Sequence, residues 1–177
     1  MGLWALHQNI GNTYLQCSEL DAASVEFQKA LDYFNQANVR DLLPELYGQF
    51  AELGLRRNDL DAADREGERS IELARELTMP REEGHNLRVM GEISMARGDF
   101  GRAEEYLLSS YTILREADDD YESARTQLTL SQLYLIQNKH EEGLKILDQC
   151  TATFERLQAS LDLMTVQSVV RARFEQK

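Results

Sequence analysis

The chain has 177 residues, a formal net charge of −12 at pH 7 and a sequence pI of about 4.7. This acidic balance repels polyanions at long range, so it argues against nucleic acid or an anionic membrane surface as the main partner. No run of about 18 apolar residues occurs, and the N-terminal segment lacks the basic and apolar regions of a secretory signal. We therefore expect a cytoplasmic protein with neither nucleic acid nor membrane among its partners.

Four small residues recur at a spacing of 40 residues: Ala23, Ala63, Ala103 and Gly143. A period of this size is typical of a solenoid in which each repeat packs its apolar face against the next. The chain has only two prolines and no alternating Val/Ile/Thr-rich run of strand length. The sequence therefore predicts an all-α solenoid, an α-α superhelix of helix-turn-helix repeats. Such a surface favours binding over catalysis.

Each repeat is predicted to hold two helices around a residue that tolerates positive φ, namely Ser18, Asn58, Gly98 or Asn138. In chain order the predicted helices span 3–17, 20–37, 41–57, 60–77, 81–97, 100–117, 121–137, 140–157 and 161–176. They form repeats at about 3–40, 41–80, 81–120 and 121–160, with a terminal helix at 161–177, in one domain covering 1–177. Because the first repeat begins almost at Met1, we expect the chain to come from a longer protein.

The joints between repeats carry residues that favour helix starts. Asn38 and Asp41 precede the second repeat, Thr78 precedes the third, and the acidic triplet 118–120 precedes the fourth. Oxygens at these positions can accept hydrogen bonds from free N–H groups at a helix N-terminus. We interpret the triplet as capping, and a metal or partner contact is the alternative, because three adjacent carboxylates lack the ligand spacing of a calcium loop.

The small and aromatic residues of the first repeat resemble the tetratricopeptide pattern. Gly11, Tyr14, Ala23, Phe27 and Ala30 stand at its offsets, and the later repeats follow more loosely. The 40-residue period is similar to the long variety found in bacterial signalling ATPases and regulators and in spindle-orientation scaffolds. The resemblance implies a superhelix with no catalytic residues, in which the ninth helix is a cap or the first half of a fifth repeat.

The resemblance also implies which side chains face the concave surface. As partner-binding residues it indicates Asn12, Leu15, Gln16, Glu52, Arg56, Arg88, Glu92, Arg125, Gln132 and Leu135. The same offsets include Glu45, Gln49 and His85. The expected partner is a protein or peptide segment, possibly another domain of the parent chain, bound along the concave groove.

Two features of this face allow alternative interpretations. Arg56, Arg88 and Arg125 can pair with acidic side chains of a peptide, or with glutamates of the same face at helical spacing. The apolar ladder, which consists of Leu15, Leu55, Met95 and Leu135, recurs every 40 residues. It is either core or a stripe that receives an amphipathic partner helix, and the neighbouring Ile136 favours exposure in the fourth repeat.

The sequence offers little for metal or cofactor chemistry. His7, His85 and His140 belong to different repeats and stand at different offsets, and no close Cys-x-x-Cys pair or glycine-rich phosphate loop occurs. Cys17 and Cys150 are too far apart in an extended solenoid to form a disulfide, so we expect free thiols. We therefore predict no enzyme activity, no metal and no cofactor.

Two further functions remain open. The repeats can form a small-ligand-sensing domain of a bacterial signalling or transcription regulator, although few aromatic residues are expected in the groove. The repeats can also self-associate through their ends, through Trp4 at one end and Val166, Val169 and Val170 at the other.

Overall fold

The computed structural model describes residues 3–175, with side chains from 4 to 171, and every regular element in this part of the chain is a helix. The helices are α1 (Leu3–Gln16), α2 (Leu20–Ala37), α3 (Leu43–Arg56), α4 (Leu60–Glu76), α5 (Pro80–Arg97), α6 (Phe100–Glu116), α7 (Asp120–Ile136), α8 (His140–Leu157) and α9 (Ser160–Glu175). The sequence-predicted spans are confirmed to within about two residues. The last predicted residue of the ninth helix, 176, lies outside the described residues.

The helices form two layers of a superhelix. Each helix packs against the next along the chain, and the odd-numbered helices α1, α3, α5, α7 and α9 also pack against one another. Within the described residues, the backbones of the even-numbered helices stay apart, and the side chain of Arg102 on α6 reaches Glu68 on α4 at 3.4 Å. The odd-numbered first helices therefore form the tight inner layer that lines the concave face, and the second helices form the outer, more widely spaced layer.

The turns inside the repeats have the backbone conformation that the sequence predicts. Ser18, Asn58, Gly98 and Asn138 all have φ between 58° and 79°. This left-handed region is open to glycine and tolerated by asparagine, and Ser18 at φ 62° shows that the fold imposes it on a less suited residue. Each turn therefore reverses the chain within a few residues and brings the two helices of a repeat together.

The joints between repeats differ from the prediction. Asn38 closes α2 in a left-handed conformation, and Thr78 adopts the same conformation after α4, so neither caps the following helix. Helices α3 and α5 instead begin with prolines in their first turn and without a side-chain cap. Only Asp119 acts as predicted, since its side chain accepts a hydrogen bond from the backbone N–H of Glu122.

The repeat interiors are held by small residues at close helix contacts. Ala23, Ala63 and Ala103 are fully buried, and Phe27 fills the interior of the first repeat. At Gly54, an added Cβ would lie 2.9 Å from the backbone nitrogen of Ala63. The two helices of the second repeat thus approach each other at a distance that leaves no space for a side chain.

The two ends of the solenoid bury part of their apolar surface, while Leu161 and Met164 on α9 are 79% and 63% exposed. Trp4 packs against Phe34 with ring centroids 5.5 Å apart, Val166 is 7% exposed, and Val169 packs on the last core cluster. Val170 is more exposed. Within residues 3–175, none of the helices has the length and apolar character needed to cross a bilayer.

Candidate binding groove

The concave face holds an open groove with a volume of about 470 Å³. The first helices of all four repeats contribute to it. Its lining side chains are almost all polar or charged: Asn12, Gln16, Glu45, Gln49, Glu52, Arg81, Glu82, His85, Asn86, Asp119, Glu122 and Arg125. We call this site the concave groove. Its lining offers hydrogen bonds and charge, and the alkyl parts of these side chains supply about as much apolar surface as polar surface.

The concave groove crosses the first helices diagonally. It begins at the C-terminal part of α1, at Asn12 and Gln16, crosses α3, and ends at the N-terminal turns of α5 and α7. Of the ten residues that the resemblance indicated, Asn12, Gln16, Glu52 and Arg125 line it. The structure therefore brings together residues from the first, second and fourth repeats that lie more than 100 positions apart in the sequence.

Several groove residues are not among the predicted offsets: Arg81, Glu82, Asn86, Asp119 and Glu122. All of them lie in or just before the first two turns of α5 and α7. The prediction used the same offsets in every repeat, as if the groove ran parallel to the repeat axis. The superhelical twist instead moves the groove towards the helix N-termini in the later repeats.

A cluster of charges joins α5 to α7 at the end of the groove. Carboxylate oxygens of Glu122 lie 3.3 Å from Nδ1 of His85, 3.5 Å from Arg88 and 3.2 Å from Arg125. Arg88 also donates to Glu92 at 2.7 Å. We call these five residues the Glu122 cluster. It fixes the relative position of the two helices that close the groove.

The surroundings of Glu122 keep its carboxyl group ionised. Burial alone would raise its pKa, but the contacts with His85, Arg88 and Arg125 outweigh burial and lower the pKa from 4.5 to about 2. The same Glu122 carboxylate raises the pKa of Arg125 against the opposing effect of burial. Glu122 is therefore ionised at neutral pH and forms ion pairs with Arg88 and Arg125.

Of the two interpretations of the arginines, internal pairing is the one the structure confirms. Arg56 pairs with Glu52 at 3.1 Å, and Arg88 with Glu92 at 2.7 Å. Arg88 is only 4% exposed, which removes it from the residues that can contact a partner in this structure. Glu92 lies outside the groove lining and is held by the Arg88 pair and by the hydroxyl of Thr129 at 3.3 Å.

The apolar ladder packs on the core, with Leu55, Met95 and Leu135 half-buried. Leu15 is fully buried, and Leu55 and Met95 pack against buried clusters of the second and third repeats. Leu135 lies against α8, where a Cβ added to Gly143 would be 3.0 Å from its Cγ. Leu15 is therefore wrong as a groove contact because it is fully buried, and the half-buried Leu135 does not line the groove.

Two of the remaining predictions concern the fourth repeat. Gln132 is half-buried and does not line the groove, whereas Ile136 is 55% exposed, as expected, at the end of α7.

In the acidic triplet, Asp119 is a cap and Asp120 pairs with Arg156 at 2.6 Å. In the part of the chain that the structure describes, no three His, Cys, Asp or Glu side chains could hold a metal ion together.

The two cysteines are separate thiols. Cys17 is exposed after α1, and Cys150 is fully buried in α8, as the need for a small residue at that offset predicts. Burial raises the pKa of the Cys150 thiol to about 11, which keeps it protonated and unreactive at neutral pH.

Comparison with known proteins identifies the repeats. A tetratricopeptide repeat family model matches residues 84–156, and a second tetratricopeptide repeat model matches residues 5–36. The two matches lie in the first, third and fourth repeats of the structure. No curated protein matches the sequence.

Solved structures share the fold at low sequence identity. A Rap protein complexed with competence and sporulation factor has a TM-score of 0.83 and 14% identity, over 90% of this chain and 45% of that protein. A signal transduction ATPase with numerous domains and a tetratricopeptide repeat sensor, from Pyrococcus horikoshii, has a TM-score of 0.73 and 13% identity, over 94% and 26%. BtubC from P. vanneervenii has a TM-score of 0.69 and 17% identity, over 90% and 70%. The chain spans less than half the length of the first two.

Proposed function

Because this chain belongs to the tetratricopeptide repeat family, we propose that it is a non-catalytic interaction module that binds a peptide segment of another protein in the concave groove. The segment can equally belong to another domain of the same parent chain. We place the module in the cytoplasm, in a signalling protein of the long-repeat variety. The observation that carries the proposal is the concave groove, to which all four repeats contribute polar side chains.

The lining of the groove suits an extended peptide. Each residue of an extended segment presents backbone N–H and C=O groups, and amide and carboxylate side chains on the wall can bond with them. Asn12 and Gln16 on α1 and Gln49 on α3 supply such amides. The similar fold of a Rap protein complexed with competence and sporulation factor and of a repeat sensor in a signalling ATPase supports a binding or sensing role.

A second candidate is the sensing of a small molecule. A volume of about 470 Å³ falls within the usual range for small-ligand sites. Such sites are mostly apolar and enclose the ligand, whereas this groove is open and polar, so the geometry favours the peptide. A third candidate is self-association through the C-terminal end. Trp4, Val166 and Val169 pack inside the solenoid, but Leu161, Met164 and Val170 on α9 are exposed.

Selection from a random peptide library, followed by a groove-filling variant, tests the proposal. Gln16 is exposed at the rim, and Gln16→Trp would fill part of the groove without touching the core. We expect selected peptides to bind this variant at least about tenfold more weakly, since tenfold corresponds to the loss of about 1.4 kcal/mol of contacts.

Gln36→Trp is the matched control. Gln36 is exposed on α2, in the outer layer, and does not line the groove. The control should bind the selected peptides like the unchanged protein. Peptides that bind both tryptophan variants equally well would show that the concave groove is not the binding site.

A further inference from the structure

The charge of the concave groove is unbalanced. Its lining includes five carboxylate side chains and two guanidinium side chains. Three of the carboxylates have basic neighbours: Glu52 pairs with Arg56, Asp119 lies 3.8 Å from Arg81, and Glu122 belongs to the Glu122 cluster. Within the described residues, Glu45 and Glu82 have no ion-pair partner, so the excess negative charge of the groove is concentrated at these two side chains.

These two carboxylates border one stretch of the groove. Asn86 on α5 donates to the backbone oxygen of Pro44 at 3.4 Å, and its amide packs against the Cα of Gly48. This contact joins the first turns of α3 and α5. It brings Glu45 to one side of the stretch and Glu82, one helical turn before Asn86, to the other.

The floor of this stretch holds two buried amide oxygens without a partner. Gln49 is 7% exposed and donates its amide hydrogen to Glu45 at 3.3 Å, and Asn86 is 1% exposed. Among the described residues, Oε1 of Gln49 and Oδ1 of Asn86 accept no hydrogen bond. Oδ1 of Asn86 fills the place where a Cβ of Gly48 would lie and is closed off in the contact between α3 and α5. Oε1 of Gln49 is an unpartnered acceptor of the groove lining, so it favours a ligand that supplies a donor.

The groups that this stretch offers to a ligand are thus hydrogen-bond acceptors: the carboxylates of Glu45 and Glu82 and Oε1 of Gln49. A ligand that complements them must present several N–H donors and a positive charge. In a peptide, the guanidinium of arginine and the ammonium of lysine have these properties, with five and three donors and no acceptor.

We propose that the concave groove recognises a basic side chain of its peptide partner, an arginine or a lysine, between Glu45 and Glu82 and above Gln49 and Asn86. This inference rests on the proposed function and names the chemistry of the partner. The arginines of the Glu122 cluster pair with glutamates of the same cluster and take no part in this contact.

The test uses the same peptide selection with a second pair of variants. Glu45→Gln/Glu82→Gln removes the two carboxylates and keeps their shape. Glu105→Gln/Glu116→Gln removes two exposed carboxylates of α6, outside the groove, and gives the same net charge. Because the net charge is −12, basic peptides are attracted at long range, and the equal charge of the two variants separates this attraction from a specific contact.

We expect the selected peptides to contain more arginine and lysine than the unselected library. Their affinity should fall at least about tenfold for Glu45→Gln/Glu82→Gln and less than about twofold for the α6 variant. Replacing the basic residue of a selected peptide by norleucine should weaken binding to the unchanged protein, and should have little further effect on the Glu45→Gln/Glu82→Gln variant.

Other results overturn the proposal in distinguishable ways. Equal weakening by the two glutamine variants would mean that only long-range charge acts on the peptides. Peptides that Gln16→Trp excludes but that show no enrichment in basic residues would leave the proposed function in place and refute the basic side chain. If Gln16→Trp excludes no selected peptide, both proposals are wrong.

Discussion

The interior of the helix pairs and the concave groove follow the 40-residue repeat to very different degrees. In the interior, Ala63 and Ala103 occupy equivalent fully buried positions, because the helices of each repeat approach to the same distance. In the groove, the offset of Glu45 holds His85 in the third repeat and Arg125 in the fourth. Packing constrains the residue types in the interior of the helix pairs, whereas the residue types in the groove can vary with the partner.

The largest expected effect is in the interior. Phe27→Ala removes a fully buried ring that packs against Phe50, with centroids 5.7 Å apart, and should lower the free energy of unfolding by about 3–5 kcal/mol. Val25→Ala, at a 54% exposed position of the same helix, should change it by less than about 0.5 kcal/mol. Denaturant titration measures both, and similar losses would contradict the packing described for the first repeat.

The Glu122 cluster should give the next effect, and it depends on pH. The pKa of Glu122 is lowered from 4.5 to about 2, so its ionisation contributes about 3 kcal/mol to the free energy of unfolding at neutral pH. Because the folded pKa is the lower one, this stability is present above pH 4.5 and is lost as the pH falls from there to about 2. Glu122→Gln should therefore destabilise the protein at pH 7 and progressively less in acid.

Denaturant titrations between pH 7 and pH 2 measure this change. Glu105→Gln, at an exposed position of α6, is the control and should follow the unchanged protein at every pH. If Glu122→Gln and the unchanged protein keep a constant difference in stability down to pH 2, the cluster does not lower the pKa of Glu122.

A smaller loss should follow an added methyl group at a close helix contact. Gly54→Ala would place Cβ 2.9–3.1 Å from three atoms of Ala63, including backbone, and should cost about 1–3 kcal/mol as α3 and α4 move apart. Gly101→Ala on α6 meets nothing nearer than 3.9 Å and should leave stability unchanged or raise it by up to about 1 kcal/mol. Thermal unfolding distinguishes the two, and a neutral Gly54→Ala would mean that the helices can separate freely.

The weakest effect belongs to the exposed charges of the concave face. Glu52 and Arg56 are 27% and 35% exposed and lie one helical turn apart, so a double-mutant cycle to alanine should give a coupling of about 0.3–0.5 kcal/mol. The coupling should decrease with added salt. A coupling of about 3 kcal/mol, the contribution expected from the ionisation of Glu122, would mean that the exposed ion pair is as strong as the buried ones.

The repeat fold could be predicted from the sequence because its determinants are local and recur. Small residues every 40 positions and turn residues such as Asn58 and Gly98 indicate helix pairs without reference to any long-range contact. The joints were less predictable. Asn38 and Thr78 favour helix starts by type, yet they follow the preceding helices in a left-handed conformation. The next helices begin with a proline, which removes one of the free N–H groups of the first turn.

The groove could be predicted only in part. Asn12, Gln16, Glu52 and Arg125 were found because their offsets face inward in any superhelix of this type. Glu82 and Glu122 were missed because their place in the groove depends on the superhelical twist, which accumulates over several repeats and is not encoded at a single position. The sequence also could not distinguish a core position from a surface one at Leu15, since an apolar residue is compatible with both.

The diagonal course of the groove has a consequence for cooperativity. In a solenoid, each repeat touches only its neighbours, and the end repeats open most readily. The groove, however, takes side chains from α1 and α7, three repeats apart. A ligand that binds only the assembled groove adds its binding free energy to the cost of opening each contributing repeat. One bound segment would thus make local openings of the first and fourth repeats thermodynamically dependent on each other.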